Sequence, residues 1–216
     1  MASARRADGS SSPSADPVLV DLRSRGTRSG LFEITLSNGA SFFVSERTVR
    51  DKRLGPGTQL PEREWPLLAA LDERERCYAK GQALCARMEQ PRAGLARKLA
   101  GRGYSAEAAE SACARLAREG FLDDGRFALA WARGRLRRRR EGPLLIRYGL
   151  LRKGVDRQLI EGALRRCEEE GLVEEALSAA REAALPRCGA DLNELKRLLE
   201  RRGFMKNTIS HFLERY

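Results

Sequence analysis

The sequence predicts a mainly α protein built from tandem three-helix modules in an elongated array, preceded by a small β-hairpin or three-stranded element. Three observations carry this reading. Apolar residues alternate with a period of two only between Val18 and Val44. Beyond residue 60 they recur with the period of a helix as far as Tyr216. The helical part also repeats itself, first after 51 residues and then after 49.

Residues 1–16 are rich in Ser, Ala and Pro, show no periodicity, and are expected to form a disordered tail. Residues 17–60 read as the β element, in the runs VLVDLR, LFEITLS and ASFFVS. Between the last two runs, Asn38 and Gly39 supply the positive φ angles of a two-residue type I′ hairpin. Two or three strands are marginal on their own, so this sheet is expected to lean on helices. The Gly and Pro punctuation of RLGPGTQLPEREW then closes the β pattern, and residues 61–90 read as connecting helices.

The repeat organises the remainder. LARKLAGRGYSAEAAESACARLAREGFLDD (95–124) lies over IRYGLLRKGVDRQLIEGALRRCEEEGLVEE (146–175) without a gap. Leu95 falls on Ile146, Leu99 on Leu150, Gly103 on Gly154, Ala109 on Ile160 and Gly120 on Gly171. A shorter third copy places Leu195, Leu199, Gly203, Phe204 and Ile209 at the corresponding positions. In each unit a first helix ends at a glycine able to take the left-handed conformation, a second carries one apolar face, and a second glycine ends that helix. The third helix is read as starting at the acid pair, Asp123 and Asp124 in one copy and Glu174 and Glu175 in the next. The modules are therefore expected at 91–140 and 141–188, with a shorter one at 189–216.

Composition narrows the function classes. Lys and Arg outnumber Asp and Glu by 41 to 30, a net charge of +11, which favours a polyanionic partner. The five cysteines are scattered without a CxxC pair, so neither a disulfide framework nor a zinc site is signalled, and a reducing cytoplasm fits them. No apolar run approaches the roughly 18 residues of a membrane span, and the N-terminus has no apolar signal-peptide segment. The expectation is a soluble cytoplasmic protein with no membrane partner, in monomeric form.

The stretch GFLDDGRFALAW (120–131) is the one place where a reaction centre could be sought. Asp123 and Asp124 could hold a metal or act as an acid/base pair only if both carboxylates met at one point. Neighbouring residues of a helix diverge by roughly 100°, and acids at a helix start cap free N–H groups. The expected role of Asp123, Asp124, Arg126 and Phe127 is therefore structural, with Phe127, Leu129, Ala130 and Trp131 supplying core packing. A P-loop and a dinucleotide-binding glycine motif are absent, and His211 is the sole histidine. No catalytic residue, metal site or cofactor is expected.

The functional candidate is instead a basic cluster. Arg133, Arg135, Arg137, Arg138, Arg139 and Arg140 crowd the end of one helix, and Arg147, Arg152 and Lys153 lie on the next. A cation-rich helix end can simply be solvated, but six arginines within eight residues repel one another and invite an anion. The set expected to face a partner is Arg133, Arg137, Arg138, Arg139, Arg140, Arg147, Arg152 and Lys153.

Residues 83–216 resemble the RecX family, regulators of the bacterial RecA recombinase. LARKLAGRGY, GFLDDGRFALAW, the arginine run leading to IRYGLLRKGV, and the later repeats carry the resemblance by their order and spacing. The segment from Leu31 through GPGTQLPEREW resembles the N-terminal part of longer members. The resemblance implies an all-helical body lying along the groove of the RecA filament on DNA, interfering with ATP hydrolysis and strand exchange and performing no catalysis. It implies the RecA filament on DNA as partner, in recombination and DNA repair; the basic set is then expected to meet either single- or double-stranded DNA through its phosphates or an acidic recombinase surface. It also implies that the Asp123–Phe127 motif shapes a module. This chain departs from the family pattern at Pro91 and Gly94, where a Ser or Thr and a Glu usually open a helix, and by one extra residue in the arginine run. Two other classes remain: an autonomous nucleic-acid-binding protein of helix-turn-helix type with a sequence preference, and a metal-dependent nuclease using Asp123 and Asp124.

Overall fold

The computed structural model describes residues 16–24, 30–189 and 191–215, in two units, Met1–Arg76 and Cys77–Tyr216. Except for Asp16, the tail expected at residues 1–16 lies outside the described residues.

In the first unit, β1 (Leu19–Ser24), β2 (Leu31–Leu36) and β3 (Ser41–Ser45) form an antiparallel sheet in sequential order. Period-two patterning puts Leu19, Ile34, Leu36 and Val44 in a core with Leu54, Leu60 and Leu68. The turn between β2 and β3 differs from the expected type I′. Gly39 has φ +83, but Asn38 is not in the left-handed region. Three residues, Ser37 to Gly39, bridge Leu36 and Ala40, whose Leu36 N–H donates to Ala40 O at 2.8 Å. Gly39 N–H donates to Leu36 O and Ala40 N–H to Asn38 Oδ1, so this is a type I turn followed by a left-handed glycine. A three-residue connection needs only one positive φ, which Gly39 supplies.

A short helix not anticipated from the sequence, α1 (Glu46–Asp51), follows β3 directly, with the Ser45 hydroxyl accepting from Thr48 N–H. In place of several connecting helices, one long helix, α2 (Trp65–Cys85), follows a short 3-10 turn at residues 62–64. Its Leu68 packs under the sheet. Asp72, almost fully buried, accepts from Ser45 N–H at 2.5 Å and pairs with Arg76 at 2.7 Å. Desolvation still raises its pKa, and those two partners counter it only in part.

The second unit contains α3 (Arg92–Ala100), α4 (Ala106–Arg118), α5 (Asp124–Arg139), α6 (Pro143–Arg152), α7 (Arg157–Glu169), α8 (Leu172–Cys188), α9 (Leu192–Arg201) and α10 (Lys206–Leu213). The repeat is visible in its burial. Leu95, Ile146 and Leu195 are buried, as are Leu99, Leu150 and Leu199, and Ala109, Ile160 and Ile209. Gly103, Gly154 and Gly203 close the first helix of each copy with φ +88, +82 and +89. Two of these glycines also receive a neighbour. A Cβ on Gly154 would lie 2.6 Å from Ala93 Cβ at the start of α3, and one on Gly203 2.8 Å from Leu145 N at the start of α6. Each of these copies thus seats its glycine turn against the opening of the preceding copy's first helix.

The phase of the repeat differs from the expected boundaries. Cys77, from the C-terminal half of α2, shares a core with α3 and α4. Phe127, Ala128, Ala132 and Leu136 of α5 belong instead to the core of α6 and the helices after it. The gapless 51-residue match also stops before the third helix. α5 and α8 begin 48 residues apart, and at that offset Ala128, Ala132 and Leu136 fall on the buried Ala176, Ala180 and Ala184. In the second copy the helix starts immediately after Gly171, with no side-chain cap. Glu174 and Glu175 therefore lie inside its first turn and are not counterparts of Asp123 and Asp124.

Candidate functional site

Geometry separates the two aspartates. Asp123 is the N-cap of α5, and its Oδ1 accepts from Arg126 N–H at 2.9 Å. Asp124 Oδ1 points elsewhere, accepting from Arg92 N–H at 2.7 Å. That bond closes the opening of α3, where Pro91 provides no side-chain cap. The departure from the family pattern at this helix start is thus compensated from α5. Arg126 binds Glu89 through Nε at 2.5 Å and donates to Gly120 O at 3.2 Å, tying the α4–α5 connection to the segment before α3. Phe127 is buried in the core. Among the described residues, no group of three or more His, Cys, Asp or Glu is arranged to hold a metal ion. Burial pushes the Cys113 thiol up to about 11, with Glu110 adding to it, and desolvation raises the half-buried Cys85 and the buried Cys167 in the same direction.

The basic set does not form one surface. At 100° per residue, the buried stripe of Ala128, Ala132 and Leu136 separates two arginine-bearing flanks of α5. On one flank, Arg133 makes a two-point pair with Glu170 (Nε to Oε2 at 2.9 Å), which holds that carboxyl below its usual range. Arg137 lies on the same flank, beside Leu172 and Glu175 of α8. Arg147 on α6 is likewise engaged, holding Glu161 at 2.7 and 2.8 Å and lowering its pKa. Arg140 ends α5 in the left-handed conformation, φ +53. Arg152 stacks toward Tyr148, 5.8 Å from the ring centroid.

The other flank opens onto a groove. Arg135 and Arg138 on that flank, with Arg139 at the helix end in line with the stripe, line a concavity of about 480 Å³ with Met88, Trp131 and Gly134. It continues into a second of about 410 Å³ bordered by Arg97, Lys98 and Lys153. The two share Met88, Glu89, Phe127 and Trp131. Six cations thus rim one trough whose single acid, Glu89, is already paired to Arg126. Trp131 forms part of its wall, and its indole carries Arg135 at 4.6 Å and Lys153 at 5.8 Å from the ring centroid. It rests on the backbone of α6 at Gly149, where any Cβ would fall closer than 3.0 Å to the ring. Trp131 therefore packs, as expected, and also shapes the groove. Arg97, Lys98 and Met88 did not emerge from the sequence, because α3 and the segment between α2 and α3 meet α5 only through the fold. Of the expected set, Arg138, Arg139 and Lys153 reach the groove; Arg133, Arg137, Arg140, Arg147 and Arg152 do not line it.

Comparison with known proteins identifies the family of the chain. The family model described as RecX, second three-helix domain, matches residues 123–164, from the capping aspartate of α5 into α7. The regulatory protein RecX of Halorhodospira halophila is 34% identical over 128 residues, covering 58% of this chain and 79% of the relative. The chain belongs to the RecX family. Among other RecX proteins, that of Thermus thermophilus is 41% identical over 121 residues, 56% of this chain and 78% of the relative. That of Lactobacillus johnsonii is 31% identical over 164 residues, 73% of this chain. The chain spans 58% and 59% of the length of the Lactobacillus johnsonii and Lactobacillus gasseri RecX proteins. A crystal structure of regulatory protein RecX matches with a TM-score of 0.77 at 20% identity, covering 92% of this chain and 99% of the other. At that identity the likeness is one of fold, and it reaches beyond the helical repeat. No helix among the described residues of this RecX-family chain is long and apolar enough to cross a membrane.

Proposed function

We propose that this protein is a cytoplasmic regulator of homologous recombination and DNA repair. In this reading it binds the RecA filament on DNA and inhibits ATP hydrolysis and strand exchange without chemistry of its own. The observation that carries the reading is the cation-rimmed groove between α3, α5 and the α6–α7 turn. Arg97, Lys98, Arg138 and Arg139 are exposed there, and none forms a salt bridge among the described residues. Phosphates of single- or double-stranded DNA satisfy such a rim without base readout. The indole of Trp131 already has Arg135 and Lys153 over its ring, which favours backbone contact over base stacking. The helical unit acts as a monomer in three three-helix parts: the C-terminal half of α2 with α3 and α4, then α5–α7, then α8–α10. The mechanism is steric and electrostatic: the array occupies a filament groove, excludes a second strand and restrains subunit motion.

The test is titration of preformed RecA filaments with the full chain, reading ATPase rate. The unaltered protein lowers the rate. Reversing Arg138 and Arg139 to Glu raises the concentration needed, and it reduces the slope of log affinity against log salt by about 2, roughly 0.9 for each phosphate that is no longer neutralised. An unchanged ATPase rate at saturating unaltered protein overturns the proposal, as does divalent-dependent cleavage of DNA.

A further inference from the structure

Helix α6 buries Ile146 and Leu150 completely, yet Leu144, Tyr148 and Leu151 on its opposite face are 43%, 60% and 46% exposed. Their spacing of four and three residues makes them one stripe on a ten-residue helix. Large apolar residues exposed elsewhere among the described residues stand singly on their elements, such as Leu159 on α7 and Leu192 on α9. An isolated exposed leucine needs no explanation, but a contiguous apolar stripe marks an interaction surface. Leu145, the fourth exposed apolar residue of α6, is set apart, because it lies against the Gly203 turn.

The flanks of the stripe state the chemistry of its partner. On one side Arg147 is consumed by Glu161 in a two-point pair. On the other, Arg152 is exposed, makes no salt bridge among the described residues, and sits 5.8 Å from the Tyr148 ring centroid. Leucine side chains gain nothing from phosphates, so this face fits protein and not nucleic acid. An exposed helix with apolar anchors at i, i+4 and i+7 is the form that docks into an apolar groove. The groove side of the same helix carries Gly149 and Lys153, so one element divides an apolar face from a cationic one.

We propose that Leu144, Tyr148 and Leu151 dock α6 into an apolar slot, rimmed by a carboxylate that meets Arg152, on a recombinase subunit of the filament. This rests on the functional reading above, and it divides the labour: the groove takes phosphate, the α6 stripe takes protein. An arrangement of this kind suits a target that offers both surfaces side by side.

The experiment compares binding of the full chain to RecA filaments on single-stranded DNA and to the same DNA without RecA. The Tyr148→Ser, Leu151→Ser double variant and the single variant Arg152→Glu are measured beside the unaltered protein. These positions are exposed, so far-ultraviolet circular dichroism and thermal melting should match the unaltered chain. The expected result is filament binding weakened about tenfold or more in the double variant, the effect of losing a central aromatic anchor and its neighbour. Arg152→Glu weakens filament binding in the same direction, while in the double variant binding to naked DNA changes by less than about twofold. Undiminished filament binding by both variants overturns the docking proposal while leaving the functional reading intact. Equal loss on naked DNA overturns it in favour of a nucleic-acid contact. Self-association of the unaltered chain that the double variant abolishes overturns it in favour of a second copy. Failure of the unaltered chain to bind filaments overturns the functional reading, and the assignment of this partner falls with it.

Discussion

Replacing Asp124 by Ala should loosen a helix that starts 32 residues earlier in the chain. The first N–H groups of α3 have no intrahelical partner, and Pro91 at its N-cap offers no side-chain oxygen. Asp124 Oδ1, at 2.7 Å from Arg92 N, fills that role. Loss of an N-cap side chain costs about 1 kcal/mol, and a charged acceptor lies in the upper part of the range of roughly 0.5–2. Asp124 is also the first residue of α5, so its charge contributes about 0.3–1 kcal/mol there through the helix dipole. Together they amount to about 2 kcal/mol. For a unit of this size that lowers the melting temperature by roughly 4–8 °C. Asp124→Asn keeps an acceptor oxygen and should recover about half. The decisive assay is amide hydrogen exchange, residue by residue. Asp124→Ala should deprotect Arg92 and its neighbours in α3, whereas Asp123→Ala should deprotect Arg126 and the first turn of α5. Equal deprotection of Arg92 by both substitutions would refute the division of roles. So would a gain in melting temperature with magnesium or manganese that either substitution abolishes, because the carboxylates would then share an ion.

Two further outcomes follow from burial and contact. Gly103 and Gly203 have nearly the same positive φ, but nothing lies within 4 Å of a Cβ on Gly103, while one on Gly203 meets the backbone N of Leu145 at 2.8 Å. Gly103→Asn should therefore cost about 1 kcal/mol and Gly203→Asn about 1–3 kcal/mol more, read from urea denaturation; equal costs would show that the Gly203 contact carries no load. Burial raises the Cys113 thiol from the ordinary 9.0 to about 11, so the folded chain keeps a proton that the unfolded chain loses. This contribution is whole below about pH 9 and is lost as pH rises toward 11. Denaturation midpoints measured from pH 8 to 10.5 should fall, and fall less in Cys113→Ala; an identical pH dependence in the two proteins would exclude Cys113 as the cause.

Much of the fold was legible because it is written in local rules. Alternation marked the strands, and the left-handed closures at Gly103, Gly154 and Gly203 follow from a residue without a Cβ at a helix end. The equivalence of Leu99, Leu150 and Leu199 followed from the repeat alone. What local rules could not fix was register over longer distances. The gapless match carried Glu174 and Glu175 onto the acid pair. The pattern of small buried residues, Ala128, Ala132 and Leu136 against Ala176, Ala180 and Ala184, has the shorter offset, but alanines leave a weak periodic signal. The hairpin turn was not legible, because Asn-Gly serves a two-residue and a three-residue connection equally, and only strand pairing decides between them. The candidate site was legible in part: Arg138, Arg139 and Lys153 reach the groove, but Arg97 and Lys98 come from α3, which nothing in the arginine run points to.

The arginine run therefore serves two tasks that its one-dimensional appearance merges. A helix whose core stripe is made of Ala128, Ala132 and Leu136 has little apolar area with which to hold neighbours, since alanine offers little more than a methyl group. Bidentate pairs to carboxylates supply geometry that such a stripe lacks, and Arg133 with Glu170 fixes α5 against the end of α7 in this way. Charge spent on that flank is not available to a ligand, so net charge overstates the surface a polyanion can use. On the groove flank Arg135 is engaged in the same way, by Glu141 at 3.0 Å, but the cations beside it are not. Glu89 is occupied by Arg126, and Arg138, Arg139, Arg97 and Lys98 are left exposed without carboxylates. The capping network contributes to this outcome, because Arg126 is held on Glu89 by the helix start that Asp123 defines. Acids that look like a reaction centre in the sequence thus act by fixing helix ends, and a consequence of fixing them is an unneutralised cationic wall.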